Sequence, residues 1–116
     1  MGKETEFMHW VQMEASQMGG RLFRNNVGLY LSLDGMRKVK AGLCKGSSDL
    51  IGFFPKEITK NDVGKVYAIF TAIETKAKRG KLSKVQENFI KLVQKNGGIA
   101  GEAKNLKEFW GIMNGF

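Results

Sequence analysis

A small α/β domain is what this sequence predicts, and three observations predict it. An amphipathic run near the start closes at Gly19-Gly20; short β-branched, leucine-rich or aromatic runs, punctuated by Gly, Asn and Asp, follow as far as residue 76; two more helical stripes then flank a short glycine-alanine run. The order helix, strands, helix, strand, helix calls for a central mixed β-sheet flanked by helices. At 116 residues the chain has the length of one domain and can bury a core without disulfide or metal staples.

Residues 4–18 place Phe7, Val11, Ala15 and Met18 at the i, i+4, i+8, i+11 spacing of an amphipathic helix, and Gly19-Gly20 ends it. After Arg24-Asn25-Asn26, residues 27–33 suit a strand. Asp34-Gly35 is a tight-turn pair, so a hairpin should resume around Arg37 to Lys40. Residues 42–48 form a polar, basic loop with Cys44 and Lys45, and residues 49–54 read as a short strand closed by Pro55, the sole proline. A polar connection with Asn61-Asp62 at its tip leads to residues 65–76. Apolar or β-branched residues occupy both parities there, predicting a strand buried on both faces at the centre of the sheet. A basic loop around Gly80 follows. Ser83 reads as an N-cap, Val85, Phe89, Leu92, Val93 and Asn96 as a helical stripe, residues 99–103 as a short strand, and residues 106–113 as a last helix. Phe23, Tyr30, Phe53 and Phe54 are expected in the core.

Lys and Arg number 19 against 11 Asp and Glu, a net charge of +8, and the pI is near 9.8. Such an excess favours polyanionic partners, since each phosphate neutralised releases condensed counterions. Cys44 is the only cysteine, which excludes an intrachain disulfide and a thiolate zinc cluster and suits a reducing, cytoplasmic setting. No apolar run reaches the roughly 20 residues that span a bilayer, so no membrane partner is expected, and the start of the chain is too polar for a signal peptide.

The chemistry centres on two short segments, Ser48-Asp49-Leu50-Ile51-Gly52 and Ile73-Glu74-Thr75-Lys76. In a strand, Glu74 and Lys76 share a face about 6 to 7 Å apart, a carboxylate beside an ammonium on a rigid surface. If Asp49 joins them, two carboxylates and a lysine converge. Carboxylates about 4 Å apart repel by roughly 4 kcal/mol at an effective dielectric of about 20, a cost that a divalent cation removes. Hard oxygen donors suit Mg²⁺ or Mn²⁺ rather than zinc. Lys76 is then placed to orient a water or to offset charge on a phosphate. His9, the only histidine, has no second histidine with which to build a general-base nuclease.

The ordered set Glu4 and Phe7, Arg24-Asn25-Asn26-Val27-Gly28, Gly46-Ser47-Ser48-Asp49-Leu50-Ile51-Gly52, Ile73-Glu74-Thr75-Lys76 and Gly80-Lys81-Leu82-Ser83-Lys84-Val85-Gln86-Glu87-Asn88-Phe89 resembles the VRR-NUC family, the virus-type replication-repair nucleases of the PD-(D/E)XK superfamily. The resemblance runs from about Glu4 to Ala103. Ser48 stands where the superfamily name has proline. The resemblance implies a single domain over residues 1–116 with a restriction-endonuclease-like core of αβββαβ-type order and a C-terminal helix. It also implies a Mg²⁺- or Mn²⁺-dependent DNA endonuclease of phage or repair DNA processing, acting on branched or flapped DNA, with homodimer formation.

By the same resemblance Asp49 and Glu74 bind metal with the Thr75 carbonyl, Lys76 is the catalytic lysine, and Gln86 stands near the site. Gln86 is equally the fourth residue of a capping box with Ser83, and the two roles are compatible. Glu4 is the first-helix glutamate that matches best, with Glu6 and Glu14 as alternatives for a place in the cluster. Arg24, Asn25 and Asn26 match a segment near the cleft. Lys45 and the loop carrying Lys78, Arg79, Lys81 and Lys84 are candidates for gripping the DNA backbone. The rival readings are a non-catalytic DNA-binding module of the same fold and an RNA-directed nuclease.

Overall fold

The computed structural model describes residues 2–116, and its contacts resolve into two compact units, one ending at Phe54 and the other beginning at Pro55. In the first, helix α1 (Lys3–Gln17) carries Glu4 and Glu6 in its opening turn, where carboxylates suit the helix dipole. It closes with the Gly20 amide returning to the Ala15 carbonyl at 2.9 Å. Its inward face differs from the stripe expected. Met8, Val11, Gln12 and Ala15 turn inward, whereas Phe7 and Met18 are exposed, because Gln12 spends its amide on the Leu22 carbonyl at 3.0 Å and so fixes which side meets the next strand.

Four strands complete this unit: β1 (Arg21–Arg24), β2 (Gly28–Leu31), β3 (Lys38–Ala41) and β4 (Leu50–Phe53). They form two antiparallel pairs, β1 with β4 and β2 with β3, the latter being the hairpin that Asp34-Gly35 predicts. Gly52 lies opposite Leu22, and a Cβ there would run into the Arg21 carbonyl, so only glycine permits the close β1–β4 approach. Phe23 and Phe53 pack with ring centroids 6.2 Å apart. Tyr30 and Phe54, expected in the core, are half-exposed instead.

In the second unit β5 (Thr71–Thr75) runs parallel to β6 (Ile99–Ala103), with α2 (Lys84–Lys95) as the crossover between them and α3 (Leu106–Asn114) at the end. A Cβ on Gly101 would press on Ile112 of α3, while Glu74 bonds Gln86 of α2. Ile73 pairs with Gly101, and Glu74 lies one residue on, so the two helices cover opposite faces of the pair. Val93, Ile99, Ala100 and Ala103 are the buried apolar centre.

Two expectations are corrected here. The long strand over residues 65–76 shortens to five residues, because β6, its only ladder partner among the described residues, is itself five long. The pairing is also three two-stranded ladders rather than one continuous central sheet, with five strands ahead of α2. Of the residues ahead of β5, Phe70 still accepts from the Ile99 amide at 2.9 Å, while Tyr67 does other work. Tyr67 donates its hydroxyl to Asp62 at 2.6 Å, and Asp62, expected at an exposed loop tip, is buried. Asp62 also accepts from the Thr59 amide at 2.9 Å within a capped 3-10 turn (Lys60–Asp62) and meets Lys56 Nζ at 3.1 Å. Among the described residues no helix is long and apolar enough to cross a membrane.

The bonds from Tyr67, the Thr59 amide and Lys56 hold the Asp62 carboxyl well below the usual carboxylate range. The unfolded chain therefore takes up this proton first. The stability that Asp62 contributes is complete above its ordinary pKa of about 3.9 and is lost as pH falls below it. Asp62→Asn should lower the melting temperature at neutral pH and flatten the decline in stability between about pH 4 and 2, measured by thermal melts across that range. An unchanged decline would remove Asp62 from this role.

Candidate active site

The C-terminal end of β5 gathers three of the residues expected at the site. Glu74 pairs with Glu102 across the parallel ladder, and the ladder continues one residue further through the Lys76 amide to the Ala103 carbonyl at 3.2 Å. Lys76 is thereby fixed at its backbone. Its ammonium stands 3.7 Å from Glu74 Oε1, with both side chains mostly covered, at 23% and 35% exposure.

Gln86 reaches the same oxygen from α2. Its Nε2 donates to Glu74 Oε1 at 2.9 Å, its Oε1 accepts from the Ser83 amide at 3.0 Å, and its own amide donates to Ser83 Oγ at 3.1 Å. Gln86 is thus at once a capping residue and a hydrogen-bond partner of Glu74, through the two ends of one carboxamide. Because both partners of Glu74 fall on Oε1, Oε2 takes no hydrogen bond among the described residues. A carboxylate oriented through one oxygen and unspent at the other is suited to a hard cation.

On the α3 face of the strand pair, opposite Glu74 and Gln86, an open groove of about 430 Å³ is lined by Ile73, Thr75, Lys76, Asn105, Leu106 and Phe109, among others, so that Lys76 alone of the three reaches it. It lies off the carboxyl ends of two parallel strands, the usual place for ligands in α/β folds. The sequence reading missed a second carboxylate-x-lysine step here. Glu102 shares a strand position and face with Glu74, and Lys104 follows it, with its Nζ 3.9 Å from Glu102. Glu102-Ala103-Lys104 repeats the pattern of Glu74-Thr75-Lys76, a signal available in the sequence. Lys78, Arg79, Lys81 and Lys84 are all exposed in or next to the loop leaving β5; Lys84 pairs with Glu87 at 3.9 Å.

Asp49 belongs to the first unit, one residue ahead of β4, with an exposed carboxylate that takes no hydrogen bond or ion pair among the described residues. Asn25 builds its setting. The Asn25 amide donates to the Asp49 carbonyl at 2.8 Å, Nδ2 donates to Ser47 Oγ at 2.7 Å and to the Ser48 carbonyl at 2.9 Å, and Oδ1 accepts from the Leu43 amide at 2.9 Å. Asn25, matched by resemblance to a segment near the cleft, shapes the loop that carries Asp49. Arg24, Asn26 and Lys45 are exposed. Glu4, Glu6 and Glu14 are all exposed on α1. Among the described residues no three His, Cys, Asp or Glu side chains stand together as a ready metal site.

Comparison with known protein families matches residues 11–105 to the VRR-NUC domain. The chain belongs to the VRR-NUC family. It is therefore a nuclease domain by family, and Asn25, Asp49, Glu74, Lys76 and Gln86 all fall within the matched span. Glu4 and Glu6 precede that span, whereas Glu14 lies inside it. No curated protein and no solved structure matches the VRR-NUC chain described here.

Ser83→Ala removes only the cap and should cost about 1 kcal/mol of stability. Gln86→Ala should lose the cap and also release Glu74, so cleavage falls well beyond what Ser83→Ala causes; urea unfolding and cleavage rates measured on both variants separate the two effects. Equal losses of cleavage would reduce Gln86 to a cap. Asn25→Ala strips three side-chain hydrogen bonds and should cost about 1 to 3 kcal/mol, with faster hydrogen exchange at the Leu43 amide. Unchanged exchange there would contradict the loop-shaping role.

Proposed function

We propose that this VRR-NUC domain is a Mg²⁺- or Mn²⁺-dependent DNA endonuclease of restriction-endonuclease-like fold, with Glu74, Lys76 and Gln86 at its centre and residues 1–116 serving one nuclease domain. The observation that carries the proposal is the convergence of Gln86 and Lys76 on a single oxygen of Glu74 at the end of a parallel strand. Asp49, the Thr75 carbonyl and a first-helix glutamate, Glu4 by its match, are proposed as further ligands on the family resemblance. Branched or flapped DNA as substrate, a role in phage or repair DNA processing, homodimer formation and a cytoplasmic setting belong to the same proposal.

The donors present are carboxylate and carbonyl oxygens, the chemistry that suits Mg²⁺ or Mn²⁺. Such an ion, when bound, supplies Lewis acidity toward the phosphate and acidifies a coordinated water. Gln86 holds Glu74 in one orientation, so the carboxylate need not reorganise during reaction. The Lys76 ammonium, anchored by the ladder and by Glu74, offers a fixed positive charge to a phosphate oxygen that gains charge as the bond to the leaving oxygen breaks. The exposed cations of residues 78–84 neutralise neighbouring phosphates without reading sequence.

Purified protein should cleave DNA with Mg²⁺ or Mn²⁺ and not with EDTA. Lys76→Ala and Glu74→Gln should each lower the rate about a hundredfold or more while the fold is retained. The assay is run on plasmid, on branched DNA and on a matched RNA. Full activity in either variant would overturn the site. Binding of DNA without cleavage under either metal would favour a binding module, and cleavage of RNA alone would redirect the substrate.

A further inference from the structure

The β2–β3 hairpin presents a surface that the nuclease centre does not use. Its turn is firmly built. The Gly35 amide returns to the Ser32 carbonyl at 2.8 Å, Gly35 takes a φ of 72° that suits only glycine, and the Ser32 amide extends the ladder to the Arg37 carbonyl at 2.8 Å. Asp34 accepts from Ser32 Oγ and from the Met36 amide through one oxygen, which ties its carboxylate to the turn. At this ordered tip Leu33 and Met36 stand in solvent, at 111% and 80% exposure. Apolar side chains held out by a tight turn are a presented feature rather than the fraying of a loose loop.

Charge surrounds that apolar tip. From Val27 to Gly46 the chain carries Arg37, Lys38, Lys40 and Lys45 against Asp34 alone, and among the described residues none of the four cations is held in an ion pair. The register sets Lys38 opposite Leu31 and Lys40 opposite Leu29, so one face of the ribbon alternates exposed leucines with lysines. A protein partner for such a face would need matching acids. DNA offers a dense row of phosphates for the cations and an apolar base stack for the tip. A two-stranded ribbon fits a groove of duplex DNA, and leucine and methionine are among the side chains that enter opened base steps.

We propose that the hairpin is a DNA-contacting wedge: Arg37, Lys38, Lys40 and Lys45 hold phosphates while Leu33 and Met36 enter the duplex where its base stack is interrupted. This rests on the reading of the chain as a DNA-acting domain, and it adds to that reading a second contact region with a preference for discontinuous duplexes.

The test is fluorescence anisotropy of nicked and continuous duplexes across a salt series in Ca²⁺, with cleavage in Mg²⁺ followed in parallel. Removing three phosphate contacts in R37A/K38A/K40A should reduce the slope of log affinity against log salt by about 2 to 3. Leu33→Ser with Met36→Ser should keep the slope and lose about tenfold of the preference for nicked DNA. These residues are exposed, and melting temperatures within a degree or two of wild type verify the fold. A fluorophore on the exposed Cys44 of the otherwise wild-type chain should change emission on adding nicked DNA.

Unchanged slope and preference in both variants, with cleavage intact, would overturn the wedge and leave the nuclease reading standing. Hairpin-dependent binding without cleavage would support the wedge and overturn the nuclease reading. Absence of any DNA binding by the wild-type chain would overturn both. Loss of self-association in the variants with DNA binding unchanged would make the hairpin an interface between copies and overturn the proposal.

Discussion

One carboxamide links the start of a helix to the orientation of a carboxylate in this protein. Gln86 accepts from the backbone at the start of α2 through its oxygen and donates to Glu74 through its nitrogen, so the geometry that begins the helix also orients the carboxylate at the end of β5. A hydrogen bond to a charged acceptor contributes more than a neutral one, and here it is made by a side chain whose other end is already fixed. The parallel β5–β6 ladder supplies the second constraint. By carrying its hydrogen bonding as far as the Lys76 amide, it sets the lysine beside Glu74 without depending on the basic loop that follows.

Much of this was legible in the sequence because it is local. Ser83 and Gln86 sit at capping-box spacing, Asp34-Gly35 marks a hairpin turn, and the alternation of strand side chains alone puts Glu74 and Lys76 on one face. What escaped depends on partners far along the chain. The length of β5 is limited by β6, some 28 residues later in the ladder register, and no periodicity within residues 65–76 records that limit. Asp62 reads as a turn residue until Tyr67, Thr59 and Lys56 close around it. Asn25 reads as a polar side chain free to meet a ligand, yet its three polar contacts all go to residues 43–48. Glu102 was overlooked because its Glu-x-Lys step sits in a run chosen for its small residues rather than for its charges.

The division of labour between charges follows from the same geometry. Cations with backbone or side-chain partners, such as Lys76 and Lys56, are held in place and serve local electrostatics. Those of residues 37–45 and 78–81 remain exposed and contribute to the net charge of +8. Carboxylates divide in the same way. Asp62 is hydrogen-bonded at both oxygens, whereas Asp34 keeps Oδ2, Glu74 keeps Oε2 and Asp49 keeps both among the described residues.

The most direct measurement is a titration of Mn²⁺ into ¹⁵N-labelled protein, read as paramagnetic broadening along the backbone. The account predicts broadening that centres on Glu74 and Thr75 and saturates at one metal concentration. Broadening confined to other carboxylates, with the Glu74 and Thr75 amides untouched at saturation, would contradict it.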